Sequence, residues 1–168
     1  MAFIQTTPDA LGIEPFSTIG GTWFLLTAGT PEAFNTMTCS WGALGEIWNA
    51  PSVTAYVRTS RYTHEFLEKD SRFTISVFPE EMRPTLAYCG SHSGRDFDKV
   101  KETGLTPVTL DGAVAFEEAS IVLVCEKVYA QMLDADAIGD PEILERYYGL
   151  DEMHKMYIGR IVAAYRKG

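Results

Sequence analysis

The stretch Phe34-Asn35-Thr36-Met37-Thr38-Cys39-Ser40-Trp41 sets short polar residues between apolar and aromatic neighbours. Such alternation predicts a β-strand that carries several hydrogen-bonding groups on a rigid element. Further on, Tyr56-Val57-Arg58-Thr59-Ser60-Arg61-Tyr62-Thr63 ends a strand in two arginines three apart. It then places Thr63 to cap a helix through His64-Glu65-Phe66-Leu67-Glu68. Two arginines beside a helix N-terminus suit an anionic group. The same arginines could instead pair with Glu65 or Glu68 on a solvent face, where an ion pair is worth only about 0–1 kcal/mol.

Outward from these stretches the chain reads as mainly β with short helical insertions. Residues 1–19, with Pro8, Gly12 and Pro15, read as an irregular arm, and Gly20-Gly21 as a turn before a first strand over 22–27. The strand from Asn35 runs to Ala43, and Asn49-Ala50-Pro51 turns the chain into a strand over Ser52–Val57. A helix over 63–69 and a strand over 72–78 complete a crossover unit. A short helix over 80–89 survives Pro84, Ser91-His92-Ser93-Gly94-Arg95 is a loop, and Asp98 opens a helix that stops at Gly104. The longest strand candidate is Ala119–Met132, and Tyr157–Tyr165 closes the chain. About six strands with two or three short helices between them predict a barrel rather than a doubly wound parallel sheet.

The 168 residues fit one domain over 1–168, and 46% hydrophobic with 12% aromatic content is globular. With 14 Lys+Arg against 23 Asp+Glu the net charge is −9, which argues against nucleic acid as a partner. The basic residues are unevenly placed. None precedes Arg58 and eight of the fourteen lie between Arg58 and Lys101, as a local anion site in an acidic protein would need, although they could equally decorate two helices and a turn. A start without basic residues does not supply the charged region of a secretory signal, and no apolar run reaches the ~20 residues of a membrane span. Cys39, Cys89 and Cys125 are odd in number and widely spaced, which fits a reducing compartment and no zinc framework. The expectation is a cytoplasmic protein with neither a membrane nor a metal among its partners.

Two weaker signals are discounted. Cys89 and His92 lack a nearby third ligand, so Cys89 reads as a small buried residue. Asp134-Ala135-Asp136-Ala137-Ile138-Gly139-Asp140-Pro141-Glu142-Ile143-Leu144-Glu145 imitates a calcium loop, but Ile138 removes a ligand and Asp140-Pro141 reads as the start of a helix. His64 and His154 lack a catalytic constellation.

The third informative block is Ser91-His92-Ser93-Gly94-Arg95-Asp96-Phe97-Asp98-Lys99, where small hydroxyls and a glycine let backbone approach an anion and Lys99 adds charge. Arg95 and Asp96 could equally form a salt bridge that shapes this loop. Taken together, Asn35-Thr36-Met37-Thr38 with Ser40-Trp41-Gly42, Trp48 with Pro51, Arg58, Arg61-Tyr62-Thr63, and Ser93-Gly94-Arg95-Asp96 with Asp98-Lys99 resemble the FMN-binding split-barrel flavoproteins. Within these, the chain looks like the flavin reductase-like family that includes flavoredoxin, over about residues 20 to 165.

The resemblance implies that Asn35, Thr36, Met37, Thr38, Cys39, Ser40 and Trp41 lie along the flavin ring. It implies that Arg58, Arg61, Tyr62, Thr63, Ser91, Ser93, Gly94 and Lys99 hold the ribityl phosphate. It also implies a homodimer with FMN near the subunit boundary, Trp48, Tyr147 or Tyr148 bordering the ring, and hydride drawn from NADH or NADPH. Electrons would pass to free flavin, a small acceptor or a protein partner, with no side chain required as acid or base. A non-catalytic FMN-binding electron carrier shares every one of these blocks, and a split-barrel protein that has lost its cofactor is the remoter alternative. Cys39 reads as a buried small residue or as one that tunes the ring.

Overall fold

In the computed structural model, which describes residues 2–168, ten strands carry the architecture. They are β1 (Phe3–Thr6), β2 (Phe24–Thr30), β3 (Ala33–Cys39), β4 (Gly42–Ile47), β5 (Ala50–Arg58), β6 (Arg72–Val77), β7 (Pro107–Leu110), β8 (Ala113–Phe116), β9 (Ile121–Met132) and β10 (His154–Lys167). Four α-helices interrupt them: α1 (Tyr62–Lys69), α2 (Arg83–Ser91), α3 (Lys99–Thr103) and α4 (Pro141–Tyr148). The mainly β, split-barrel class expected from the sequence is the class the chain adopts.

Eight strands form one sheet in the order β3-β2-β6-β9-β10-β5-β4, with β1 added to the far half of β10. All pairings along it are antiparallel. Both faces of this sheet carry apolar side chains, so it curls around one and is covered on the other. Phe24, Leu26, Met37, Val53, Val57, Phe73, Ile75 and Tyr157 fill the interior. Leu25, Leu86, Phe116, Val122 and Val124 form an outer cluster under α2 and the β7–β8 hairpin. At Gly159, where the β9–β10 register shifts, a Cβ would run into the Phe73 ring.

The two strands that end the sheet, β3 and β4, are consecutive in sequence. Ser40 and Trp41 therefore carry the chain across the split from one sheet edge to the other. This puts the polar-studded stretch on an edge strand, whose outer backbone groups are not paired by another strand.

Several expectations are corrected. Residues 1–19 are not simply an irregular arm, because Phe3–Thr6 pairs with the end of β10, and Ser17–Thr22 forms a π-helical turn where Gly20-Gly21 suggested an open one. The first expected strand starts at Phe24 and is the second, while the strand expected from Asn35 to Ala43 breaks after Cys39. The β4–β5 turn is Trp48-Asn49, both at positive φ (53° and 55°), rather than Asn49–Pro51. The four-residue strands β7 and β8, around Asp111-Gly112, fall outside the expected set. The β5–α1–β6 crossover does not join neighbours, since β9 and β10 lie between. Helix α4 does begin at Pro141, capped by Asp140, whose side chain accepts from the Glu142 backbone N–H.

Candidate functional site

A groove follows the free side of β3, closed by the first turn of α1, the last turn of α2 and the Ser93–Asp98 loop. Five contacts tie these elements together. Asn35, only 7% exposed, donates from Nδ2 to Thr63 Oγ1 at 2.7 Å. Thr63 therefore sits inside α1 as an acceptor and does not cap it; the N-cap position is Arg61, without a side-chain cap. Gly94 closes over Asn35 so tightly that a Cβ there would overlap Asn35 Oδ1 and crowd Tyr62. Arg61 Nη1 donates to the Gly90 carbonyl at 2.9 Å. Thr38 Oγ1 donates to the Leu86 carbonyl, and Gly90 allows α2 to lie this close to Thr38.

The fifth contact carries the most physical information. Lys99 is 6% exposed, and its ammonium donates to Thr36 O at 2.8 Å and Cys89 O at 2.7 Å. Among the described residues no carboxylate lies within ion-pair distance of it. Burial, with a smaller contribution from the Arg61 charge, pushes its pKa down to about 8. A buried cation held only by carbonyl dipoles is costly unless an anion joins it. Lys99 lines a cavity of about 400 Å³ together with Asn35, Arg61, Thr63, Ser93 and Arg95, so an anion there would meet three cations and the Thr63 and Ser93 hydroxyls, with Asp96 and Asp151 also at the rim.

Along β3 toward the split, a second cavity of about 170 Å³ runs past Met37, Thr38, Cys39, Ser40 and Trp41. Met37 and Arg61 belong to both cavities, which makes them neighbours along one groove. His154, set aside on sequence for want of a catalytic constellation, forms part of this end. It is 7% exposed, with its ring 5.2 Å from that of Trp41 and its Nδ1 2.8 Å from the Tyr148 hydroxyl. Burial and the nearby Arg58 charge push its pKa down to about 4, so it is neutral at neutral pH. Cys39 is buried with its thiol pushed up to about 12 by desolvation, the chemistry of a small apolar wall residue.

Arg58 departs from its expected place. Its guanidinium donates to Tyr147 O (2.9 Å) and Glu152 O (2.7 Å), pairs with Asp151 (3.2 Å) and lies over the Tyr148 ring. It lines the Trp41 end of the groove and fixes the segment after α4 there, away from Ser93 and Lys99. Arg58 is thus not among the residues lining the cavity of Lys99, Arg61, Thr63 and Ser93. Ser91 ends α2 and lines the same cavity as Lys99 and Arg61, with its hydroxyl turned back to the Ala87 carbonyl at 2.9 Å. Arg95 pairs with Glu65 rather than Asp96 and donates to Ser60 O, stitching the loop to α1. Thr36 turns its hydroxyl to Thr27 and contributes only its carbonyl to Lys99.

Tyr147 meets Trp41 edge-on at 5.1 Å, whereas Trp48 lies on the β4–β5 turn against Tyr129, away from this chain's own groove. No cluster of three or more His, Cys, Asp or Glu that could hold a metal ion occurs among the described residues, and no described helix is long and apolar enough to cross a membrane.

The family model described as the flavin reductase like domain matches residues 16–168. No curated protein matches the chain. Among solved structures, flavoredoxin from Methanosarcina acetivorans is similar at 22% identity and a TM-score of 0.67, with 87% of this chain and 68% of that one covered. An FMN-binding protein from Thermus thermophilus, solved with p-hydroxybenzaldehyde, gives 22% identity and 0.68, covering 96% and 78%. Component B of nitrilotriacetate monooxygenase from Bacillus cereus gives 16% and 0.67, covering 95% and 76%. At these identities the structures establish the shared fold.

Proposed function

Because the chain belongs to the flavin reductase-like domain family, we propose that it is an FMN-binding oxidoreductase that takes hydride from NADH or NADPH and passes electrons to free flavin, a small acceptor or a protein partner. The observation that carries this reading is Lys99, a buried ammonium with no ion-pair partner among the described residues, lining a cavity with Arg61, Thr63 and Ser93. A second feature supports the fit: Gly94 lets backbone close down where any larger residue would block the cavity. When bound, FMN supplies the hydride-accepting centre.

The chain's own contribution is to bind and orient. Lys99, Arg61, Thr63 and Ser93 would receive the phosphate dianion, with charge-assisted hydrogen bonds roughly twice as strong as neutral ones. The edge of β3 from Met37 to Ser40 would offer unpaired backbone groups to the polar edge of the ring, and Trp41 with Tyr147 would exclude water from one side. Neutral His154, held through Tyr148, would border the ring without adding charge.

A homodimer is part of the proposal. Helix α4 has no buried residue, and Phe16, Trp48 and Leu150 are largely exposed, so apolar surface is open to a second copy. Three free, buried cysteines fit a cytoplasmic protein.

The test is anaerobic stopped-flow mixing of FMN-loaded protein with NADH and with NADPH. Bleaching of the flavin absorbance with either supports the reductase. Tight FMN binding without bleaching by either would leave the electron carrier instead.

A further inference from the structure

In the flavin-free protein Lys99 has a second chemistry open to it. Its nitrogen donates to Thr36 O at 2.8 Å and Cys89 O at 2.7 Å, and it lines both the 400 Å³ cavity and a cavity of about 630 Å³ beyond the Ser93–Asp98 loop. A tetrahedral nitrogen with two N–H groups engaged has one further position besides its stem. In the ammonium that position carries the third N–H, and in the free amine it carries the lone pair, while both carbonyl contacts persist. We propose that Lys99 is a carbonyl-reactive amine when FMN is absent, and that the cavity then takes a small aldehyde bearing a phosphate, captured at Nζ as an imine.

The surroundings favour the free amine. Among the described residues no carboxylate pairs with Lys99, and its burial brings the pKa to about 8, so about half of it is neutral at pH 8, against about 0.4% of a lysine of ordinary pKa. Behind it, burial pushes the Cys89 thiol up to about 11, so that thiol stays protonated and is no rival nucleophile. The other charged or titratable groups around the 400 Å³ cavity are Arg61, His92, Arg95, Asp96 and Asp151. Asp151 is paired with Arg58, and Arg95 with Glu65. A guanidinium keeps its charge where an amine has lost it, so Arg61 and Arg95, with the Thr63 and Ser93 hydroxyls, still attract an anion once Lys99 is neutral. The phosphate and the nucleophile are thereby served by different side chains. An aldehyde without the phosphate meets only the amine.

The step needs no redox partner. Neutral Nζ adds to the carbonyl carbon, the C=O bond breaks, and both amine protons leave with its oxygen as water, so that a C=N bond remains. Protonated, the imine nitrogen keeps one N–H for Thr36 O or Cys89 O. This goes beyond the flavin reading, in which the same ammonium meets the FMN phosphate, and the two occupants exclude each other.

The experiment incubates flavin-free protein with pyridoxal 5′-phosphate, or with pyridoxal, which lacks the phosphate. Borohydride then fixes the imines, and peptide mass spectrometry locates them. The exposed Lys69 and Lys101 are the reference within each sample, which cancels the different intrinsic reactivity of the two probes. At pH 8, pyridoxal 5′-phosphate should label Lys99 at least about tenfold faster than either reference. With pyridoxal that preference should shrink by about tenfold or more, the effect of losing a hydrogen bond to a charged group. As pH rises further, the Lys99 rate should level off while the reference rates keep climbing. Labelling of Lys99 no faster than of the references, or a preference equal for both probes, overturns the proposal. Prior addition of FMN separates it from the flavin reading. Selective labelling that saturating FMN leaves untouched keeps the proposal and removes the FMN phosphate from Lys99, whereas FMN binding, seen by fluorescence quenching, without selective labelling removes the proposal and keeps the flavin.

Discussion

Replacing Lys99 with methionine separates the phosphate from the rest of the flavin. The ammonium already donates to two carbonyls and has one N–H left to meet an anion in the 400 Å³ cavity. A hydrogen bond to a charged partner contributes about 1.5–3 kcal/mol, so the variant should bind FMN roughly 10- to 150-fold more weakly. Riboflavin, which lacks the phosphate, should bind as before.

A pH dependence accompanies this. FMN needs the protonated lysine, so wild-type affinity for FMN should fall as pH rises through about 8, the value to which burial lowers the Lys99 pKa. Stability of the flavin-free protein should move the other way. Between about 8 and the ordinary 10.5 the unfolded chain keeps a proton that the folded one has released, so stability rises with pH across that window. The gain is at most about 3 kcal/mol, and Lys99→Met should abolish it. Fluorescence titrations with both ligands from pH 6.5 to 9.5, alongside urea unfolding, read all three effects. Equal weakening of FMN and riboflavin, or an FMN affinity flat across pH 8, would refute the reasoning.

Three further outcomes are expected. Asn35→Ala leaves Thr63 without its buried donor and should lower stability by about 1–3 kcal/mol, seen as a reduced urea midpoint with unchanged slope. Arg58→Ala releases Tyr147, Asp151 and Glu152, so limited proteolysis should cut faster between residues 139 and 153, while the ratio of FMN to riboflavin affinity stays at the wild-type value. His154 has a folded pKa of about 4 against 6.5 unfolded, so the unfolded chain binds the extra proton between those values and stability should be lost as pH falls through them. His154→Gln should flatten that acid limb, by no more than about 3 kcal/mol.

The sequence made the architecture legible where local chemistry decides it. Alternation in Asn35–Trp41 and Ser52–Val57 marked strands, and Asp98 with Gly104 bracketed α3 as cap and stop, with Asp98 Oδ1 accepting from Lys101 N. Short strands were lost because four residues hold too little periodicity: β1 depends on pairing with β10, and β7 and β8 need the Asp111-Gly112 turn to define them. That Asn35–Cys39 lies at a sheet edge is a property of strand order, which no local pattern carries.

Within the site, residues grouped in sequence did come near one another, but their partners were not readable. Arg58 meets Asp151 and Glu152 more than ninety residues away, and a basic residue near a strand end carries no mark of such a distant acid. His154 was discounted for want of partners in sequence, because its neighbours Trp41, Tyr148 and Arg58 assemble around it only once β10 lies beside β5. For Lys99 its charge was readable, but not its burial, and burial is what makes it informative.

The most direct measurement is a crystal structure of the protein grown with FMN. The account predicts the phosphate within hydrogen-bond distance of Lys99 Nζ and near Arg61, Thr63 and Ser93, with the ring alongside Met37–Trp41. A phosphate lying in solvent, or a ring bound away from β3, would contradict it.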